Sequence, residues 1–131
     1  MAQITRVGTP SLASLLPNGA DVLAGLFAGE ALTAFDACYV KSDGLVWKSN
    51  GTSANAAAKV RGYASKATAS GEPVTLYKNV RVAYGTGMTP GTAVFLSATA
   101  GTLADGATTG GTAPIGFVVD ATRIYLDISR Y

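Results

Sequence analysis

The residues that could carry out acid–base chemistry are few and stand apart along the chain. There is no histidine, and the eight carboxylates occur singly: Asp21, Glu30, Asp36, Asp43, Glu72, Asp105, Asp120 and Asp127. Acid–base catalysis commonly uses a histidine or two carboxylates held a few ångström apart. Isolated acids near turn residues are typical of turn formation and surface solvation. We therefore expect no catalytic residues and no enzyme, with an enzyme that uses an unrecognised site as the lesser alternative.

Sites for nucleophiles, nucleotides and metals are equally hard to find. Gly85-Thr86-Gly87 is glycine-rich and follows a predicted strand, but it lacks the lysine and the following helix of a phosphate loop. Cys38 is the single cysteine, so neither an intramolecular disulfide nor a cysteine-based zinc site is expected. Ser42-Asp43-Gly44 alone supplies too few oxygens for calcium. The sequence predicts no cofactor, no metal and no small-molecule substrate, and it predicts Cys38 as a small buried side chain in a strand.

The charge balance argues against nucleic acid and membrane as partners. The net charge is +2 and the ten basic residues form no run, so phosphate neutralisation would be weak. No apolar stretch reaches the roughly 18 residues of a membrane span, and no secretory signal is recognisable. We expect synthesis in a cytoplasm. Charged residues make up only 14% of the chain, which favours a protein packed against other subunits in a homotrimer or another small closed oligomer.

The elements that would position any site are short strands between frequent turns. The predicted strands, or runs that contain them, are 37–41, 45–49, 59–66, 74–84, 93–97, 115–119 and 123–129. The first two flank Ser42-Asp43-Gly44 as a hairpin. The run 74–84 is the longest, and its alternation breaks only at Lys78-Asn79, which predicts a bulge or bend there. The alanine-rich stretch Ser53 to Ala58 is expected to be a loop or one helical turn.

The chain also carries a faint internal repeat. Residues 32–40 match residues 88–96 at an offset of 56, and residues 62–68 match residues 116–122 at an offset of 54. Chance similarity in a chain rich in Gly, Ala and Thr is the alternative explanation. The predicted fold class is all-β, a small single-domain β-barrel or β-sandwich with an extended N-terminal arm and a candidate internal duplication.

The first 22 residues differ from the rest, so we divide the chain into an N-terminal arm at 1–22 and a β domain at 23–131. The arm has apolar residues without strand or helix period, and Pro10 and Pro17 interrupt it. We predict that it binds a partner rather than joining the core, through Ile4, Arg6, Val7, Leu12, Leu15 and Leu16. Its deletion would then leave melting almost unchanged. The open alternative is an arm folded over its own domain, and a helical turn is expected over residues 11–16.

Aromatic residues offer one further class of site. Trp47 and six tyrosines would suit a platform for stacking sugars or bases, but packing in the core or in an interface is the interpretation that we favour.

Five segments resemble small phage proteins known as capsid cement or head decoration proteins. The segments are Ala28-Gly29-Glu30-Ala31-Leu32, Asp36-Ala37-Cys38-Tyr39-Val40, Gly71-Glu72-Pro73-Val74-Thr75-Leu76-Tyr77, Gly91-Thr92-Ala93-Val94-Phe95-Leu96-Ser97 and Ala113-Pro114-Ile115-Gly116-Phe117-Val118-Val119-Asp120-Ala121-Thr122. The resemblance covers roughly residues 23 to 128.

This resemblance implies a β-rich domain, often trimeric, on the outside of the virion. Such a protein binds the outer face of an assembled capsid and reinforces junctions between subunits of the major capsid protein, which would be the partner. The resemblance carries no catalytic residues. The alternative function is a phage tail, fibre or baseplate β module that binds glycans.

Overall fold

The computed structural model describes residues 3–13 and 22–129. These residues form an all-β domain of eleven strands in two antiparallel sheets, which confirms the predicted fold class. Within the two ranges the helical structure is a 3-10 turn at Ala56–Ala58, where the Asn55 side chain accepts a hydrogen bond from the Ala57 N–H. The alanine-rich stretch is therefore a loop with one helical turn, as predicted.

The strands in chain order are β1 (Ser11–Leu12), β2 (Val22–Phe27), β3 (Ala37–Val40), β4 (Val46–Lys48), β5 (Gly62–Ala64), β6 (Pro73–Tyr77), β7 (Val80–Ala83), β8 (Ala93–Leu96), β9 (Leu103–Ala104), β10 (Gly116–Val118) and β11 (Arg123–Leu126). One sheet has the order β2-β6-β5-β3-β4, and the other has the order β1-β7-β11-β10-β8-β9. The predicted hairpin is present as β3 and β4, and Gly44 in its turn takes a positive φ that favours glycine.

The run predicted as the longest strand is two strands in different sheets. β6 belongs to the five-stranded sheet and β7 to the six-stranded sheet, and the chain bends between them at Lys78-Asn79. The apolar alternation continues on both sides of the bend, because Leu76 before it and Val80 after it are both buried. Of the two predicted possibilities at Lys78-Asn79, a bulge or a bend, the structure has the bend. The prediction of a single continuous strand over 74–84 was wrong.

The two sheets repeat one topology. Setting β1 aside, the second order follows from the first when β2, β6, β5, β3 and β4 are replaced by β7, β11, β10, β8 and β9. The register repeats too: the pairs Ala37–Tyr63 and Cys38–Gly62 of the first sheet correspond to Ala93–Phe117 and Val94–Gly116 of the second. The offsets of 56 and 54 seen in the sequence are the offsets between these paired strands. We refer to the two halves as the first unit and the second unit.

The main hydrophobic core lies between the units, and a smaller one lies inside the first. The main core contains Val82, Val94, Ile124 and Leu126 from the second unit, together with Tyr63 from the first. In the smaller core, Cys38, Val46 and Leu76 are among the buried residues. The first sheet curls around this smaller core until Ala28, just after β2, forms a bridge with Val46 on β4.

The thiol of Cys38 lies in this smaller core and is fully buried, as predicted. Burial raises the pKa of the thiol, and the nearby Asp36 carboxylate raises it further. Because the thiolate is the reactive form, we expect a maleimide or an aromatic disulfide reagent to leave Cys38 unmodified in the folded protein and to modify it fully in denaturant. Equal rates of modification with and without denaturant would contradict this burial.

Candidate partner-binding site

The described part of the arm, residues 3–13, lies against its own domain. β1 pairs with β7, and Gln3 forms a bridge with Ala104 on β9. Between these points the Ile4 N–H donates to the Leu103 carbonyl at 2.9 Å, and the Val7 N–H donates to the Tyr84 carbonyl at 3.0 Å. The open alternative of the sequence analysis, an arm folded over its own domain, therefore describes these residues.

Comparison of the two units explains why the arm docks at this place. In the first unit the Val46 carbonyl accepts a hydrogen bond from the Gly29 N–H, which closes the curled sheet on itself. Leu103 is the register counterpart of Val46, and its carbonyl accepts from Ile4 of the arm instead. The second unit has a gap where the first unit closes directly, and the arm fills this gap. Gly85 permits the close passage, since a Cβ there would lie 2.8 Å from the Thr5 carbonyl oxygen.

Arg6 fastens the arm across both units. Its guanidinium donates to Asp36 Oδ1 at 2.9 Å, to Thr33 Oγ1 at 3.1 Å and to the Gly101 carbonyl at 3.1 Å, and its Nε donates to the Tyr84 hydroxyl at 3.0 Å. The Asp36 side chain is only 4% exposed, so its charge depends on these donors for compensation. The sequence analysis assigned Arg6 to partner binding, whereas in the structure it pairs with Asp36 of the same chain.

Burial and neighbouring charges shift the pKa of two groups in this cluster, Tyr84 and Arg6. Burial raises the pKa of the Tyr84 hydroxyl despite the nearby Arg6, so the phenol stays neutral and accepts from the guanidinium. Burial works against the charged form of Arg6, but Tyr84 and Asp36 outweigh it, and the pKa of Arg6 is raised. Lys48 adds a second cation with its Nζ 3.9 Å from Asp36 Oδ2. The cluster therefore joins the arm to both units through charged and polar contacts.

The other predicted arm residues have different environments. Ile4 and Leu12 are half-buried and pack against the main core, whereas Val7 is 56% exposed. Leu15 and Leu16 lie outside the described residues. The predicted helical turn is wrong at its start, because Ser11 and Leu12 pair with β7 as a strand. Whether Val7 also contacts a partner stays a prediction.

A cleft of about 350 Å³ separates the arm from the loop that follows β7. Ile4, Thr5 and Val7 line one side of it, and Met88 and Thr89 are among the residues that line the rest. The lining mixes methyl groups with threonine hydroxyls, and its one carboxylate belongs to Asp105. The lining therefore offers both apolar and hydrogen-bonding contacts.

Trp47, the residue considered for stacking, is engaged within the chain. The Lys41 ammonium lies 4.5 Å from the centre of the ring system, and the indole N–H donates to Asp43 at 3.2 Å. Gly29 packs so closely against the indole that any Cβ on it would overlap the ring. Trp47 therefore seals one side of the first unit and offers no open ring for a sugar.

The sequence analysis missed an aromatic surface on the second unit. Phe117 lies in the predicted strand 115–119 and is 47% exposed, and its ring centre lies 5.5 Å from that of Tyr125. Pairing places the two rings in one row across the sheet, which runs Ala93, Phe117, Tyr125, Arg81. We call these four residues the aromatic row. The four residues become neighbours only through the pairing of their strands, and the sequence does not specify which strands pair.

The described residues contain no group of three or more His, Cys, Asp or Glu side chains arranged to hold a metal ion. Nor does any helix in residues 3–13 and 22–129 have the length and apolar character to cross a membrane. No protein-family model and no curated protein matches the sequence.

Proposed function

We propose that this protein is a phage capsid decoration protein, which binds the outer surface of an assembled capsid and stabilises junctions between major capsid subunits. Support comes from the five segments that resemble decoration proteins and from the all-β body of two similar units. The observation that carries the proposal is the anchored arm: Arg6 fixes it to both units, while Val7 next to it projects into solvent at the edge of the cleft.

An anchored arm suits this role because it is ordered before binding. Association costs conformational entropy when a flexible segment has to be fixed, and a preorganised contact avoids much of that cost. A capsid presents the same site many times, so a modest contact by Val7 and the cleft, repeated over linked copies, gives high occupancy. No chemistry is required, and the major capsid protein is the partner.

The alternative of a glycan-binding tail, fibre or baseplate module gains no observation in its favour. Its best candidate was Trp47, whose ring and N–H are already occupied by Lys41, Gly29 and Asp43. The experiment below therefore tests capsid binding only.

Replacing Val7 by Asp should weaken capsid binding at least tenfold, which corresponds to about 1.4 kcal/mol. The reason is that a carboxylate in an apolar contact loses its hydration. The measurement is cosedimentation with capsids assembled from the encoding phage with this gene deleted, and occupancy is confirmed by negative-stain microscopy. Val40→Asp is the matched control, since Val40 is 38% exposed on β3 of the first unit, away from the arm. Equal binding by V7D and wild type would show that Val7 makes no contact with the capsid. Failure of the wild type to bind would contradict the proposed function itself.

A further inference from the structure

Two cations share the single carboxylate of Asp36. Arg6 of the arm donates to Oδ1 at 2.9 Å, and the Lys48 ammonium at the end of β4 lies 3.9 Å from Oδ2. The hydroxyl and the N–H of Thr33 donate to Oδ1 and Oδ2 respectively, both at 2.8 Å. Because like charges repel, each cation weakens the hold of the other on the carboxylate. Lys48 is therefore a competitor of Arg6 for Asp36 as well as its neighbour.

The Asp36 carboxylate does not depend on the arm alone for its compensation. When Arg6 leaves, Oδ1 keeps the hydrogen bond from the Thr33 hydroxyl, and Oδ2 keeps the one from the Thr33 N–H. The Lys48 side chain is 28% exposed and reaches the carboxylate from the first unit. Its flexible stem allows the short movement that turns the 3.9 Å contact into a direct ion pair. An open arm therefore leaves the carboxylate with a cation.

The rest of the domain keeps its strand pairing when the arm is away. β7 also pairs with β11, and β9 also pairs with β8. The second unit then consists of β7, β11, β10, β8 and β9, which correspond to the five strands of the first unit. The described arm is attached through the two pairs of β1, the bridge at Gln3 and backbone hydrogen bonds from Ile4, Val7 and Ala13. A segment with so few contacts opens at a lower free energy than the core of a domain.

Opening of the arm changes the surface that the second unit offers. Ile4, Thr5 and Val7 line one side of the cleft, so the cleft exists only while the arm is closed. The open arm uncovers the Leu103 and Tyr84 carbonyls, which accept hydrogen bonds from the arm when it is closed. The two states therefore present different contacts to a partner.

We propose that the arm is a strap that opens as a unit while both β units stay folded, and that Lys48 takes over Asp36 from Arg6 when it opens. Lys48 favours the open state in two ways. It repels the Arg6 guanidinium while the arm is closed, and it compensates Asp36 once the arm is open. Removal of Lys48 should therefore hold the arm more tightly, although it removes an ion pair. This inference concerns the free protein and does not depend on capsid binding.

Hydrogen–deuterium exchange of the full chain, followed residue by residue by NMR, measures the opening. The Ile4 and Val7 amides donate to carbonyls of the second unit, so they exchange only after the arm has opened. We expect them to exchange faster than the hydrogen-bonded amides of β11 by about tenfold or more, because opening of the arm costs less than unfolding of the domain.

Lys48→Met tests the competition between the two cations. It should slow exchange at Ile4 and Val7 by about fivefold, while exchange in β11 stays the same or becomes faster. A variant that only loses a structural contact would instead speed exchange at all of these sites. Lys66→Met is the matched control, because Lys66 is exposed on the first unit and joins no ion pair within residues 3–13 and 22–129. It should exchange like the wild type.

Asp36→Asn removes the charge for which the two cations compete and keeps the shape of the side chain. Exchange at Ile4 and Val7 should become faster, because Arg6 loses its ion pair. In this background Lys48→Met should lose most of its effect on the arm. The comparison separates competition at Asp36 from any other consequence of removing the lysine.

Trypsin gives a second readout at the bond between Arg6 and Val7. The Arg6 side chain is bound by the domain while the arm is closed, so cleavage requires the open arm and its rate follows the open population. K48M should be cut about fivefold more slowly than the wild type, and K66M at the wild-type rate. Mass spectrometry of the fragment that begins at Val7 measures the rate.

Three results would overturn the proposal. Equal exchange of the arm amides and the β11 amides would show that the arm opens only when the whole domain unfolds. Faster exchange or faster cleavage in K48M would make Lys48 a support of the closed arm and not a competitor. An undiminished effect of K48M in the D36N background would show that Lys48 does not act through Asp36. None of these measurements involves capsids, so this proposal and the proposed function fail independently.

Discussion

A chain that lacks residues 3–13 should be less stable than the full chain by about 4 kcal/mol, with a melting temperature lower by roughly 15 °C. Deletion of the arm would remove the guanidinium partner of the nearly buried Asp36 carboxylate, and Lys48 at 3.9 Å would be the remaining cation. It would also expose the apolar surface that Ile4 and Leu12 cover and leave the Leu103 carbonyl without its donor. Urea unfolding followed by circular dichroism gives the free energy, and calorimetry gives the melting temperature.

Two single variants separate the parts of this effect. Arg6→Ala should account for about half of the loss, because it removes the pair with Asp36 but keeps the backbone pairing of the arm. Val7→Ser should change stability little, because the side chain is largely exposed. A truncated chain that melts within a degree or two of the full chain would show that the arm only rests on the domain, as the sequence-based prediction had it. We expect the opposite of that prediction, because the arm supplies hydrogen bonds to the Leu103 and Tyr84 carbonyls of the second unit.

The strands could be predicted well wherever one face is buried and the other exposed. In β11, Ile124 and Leu126 are buried while Arg123 and Tyr125 alternate with them, as the period of two requires. The hairpin of β3 and β4 followed from its turn residues. The repeat was visible because both units place aromatic and small residues in the same order, although the sequence alone did not show that the units also share strand order and register.

The arm and the aromatic row could not be predicted, for related physical reasons. Among the described residues 3–13 of the arm, the strand is Ser11–Leu12, which is too short to leave a period in the sequence. Arg6 finds Asp36 thirty residues away because both units converge on it, which no local pattern records. Phe117 looks like a core residue by type, and its exposure of 47% becomes visible only in the folded chain. In both cases the decisive contacts join segments that are distant in sequence.

The repeat also predicts which glycines the fold requires. Gly62 on β5 and Gly116 on β10 are register counterparts, and each lies at the centre of its sheet. A Cβ on Gly62 would lie 2.6 Å from the Leu76 Cβ, and a Cβ on Gly116 would overlap the Tyr125 carbonyl oxygen. Neither position has a positive φ, so what is required is close approach of the strands, not an unusual backbone conformation.

Gly116→Ala should therefore lower the free energy of unfolding by about 3 kcal/mol, and Gly62→Ala by about 2 kcal/mol. The larger loss is expected at Gly116 because the overlapping atom belongs to the backbone of β11, which cannot move without breaking its pairing with β7. Gly44→Ala is the matched control: it adds the same methyl group in open space, and its φ of 83° costs about 1 kcal/mol through the backbone alone. Urea unfolding of the three variants measures the order. If Gly116→Ala were no more destabilising than Gly44→Ala, the two central strands would not approach as closely as the shared register of the units demands.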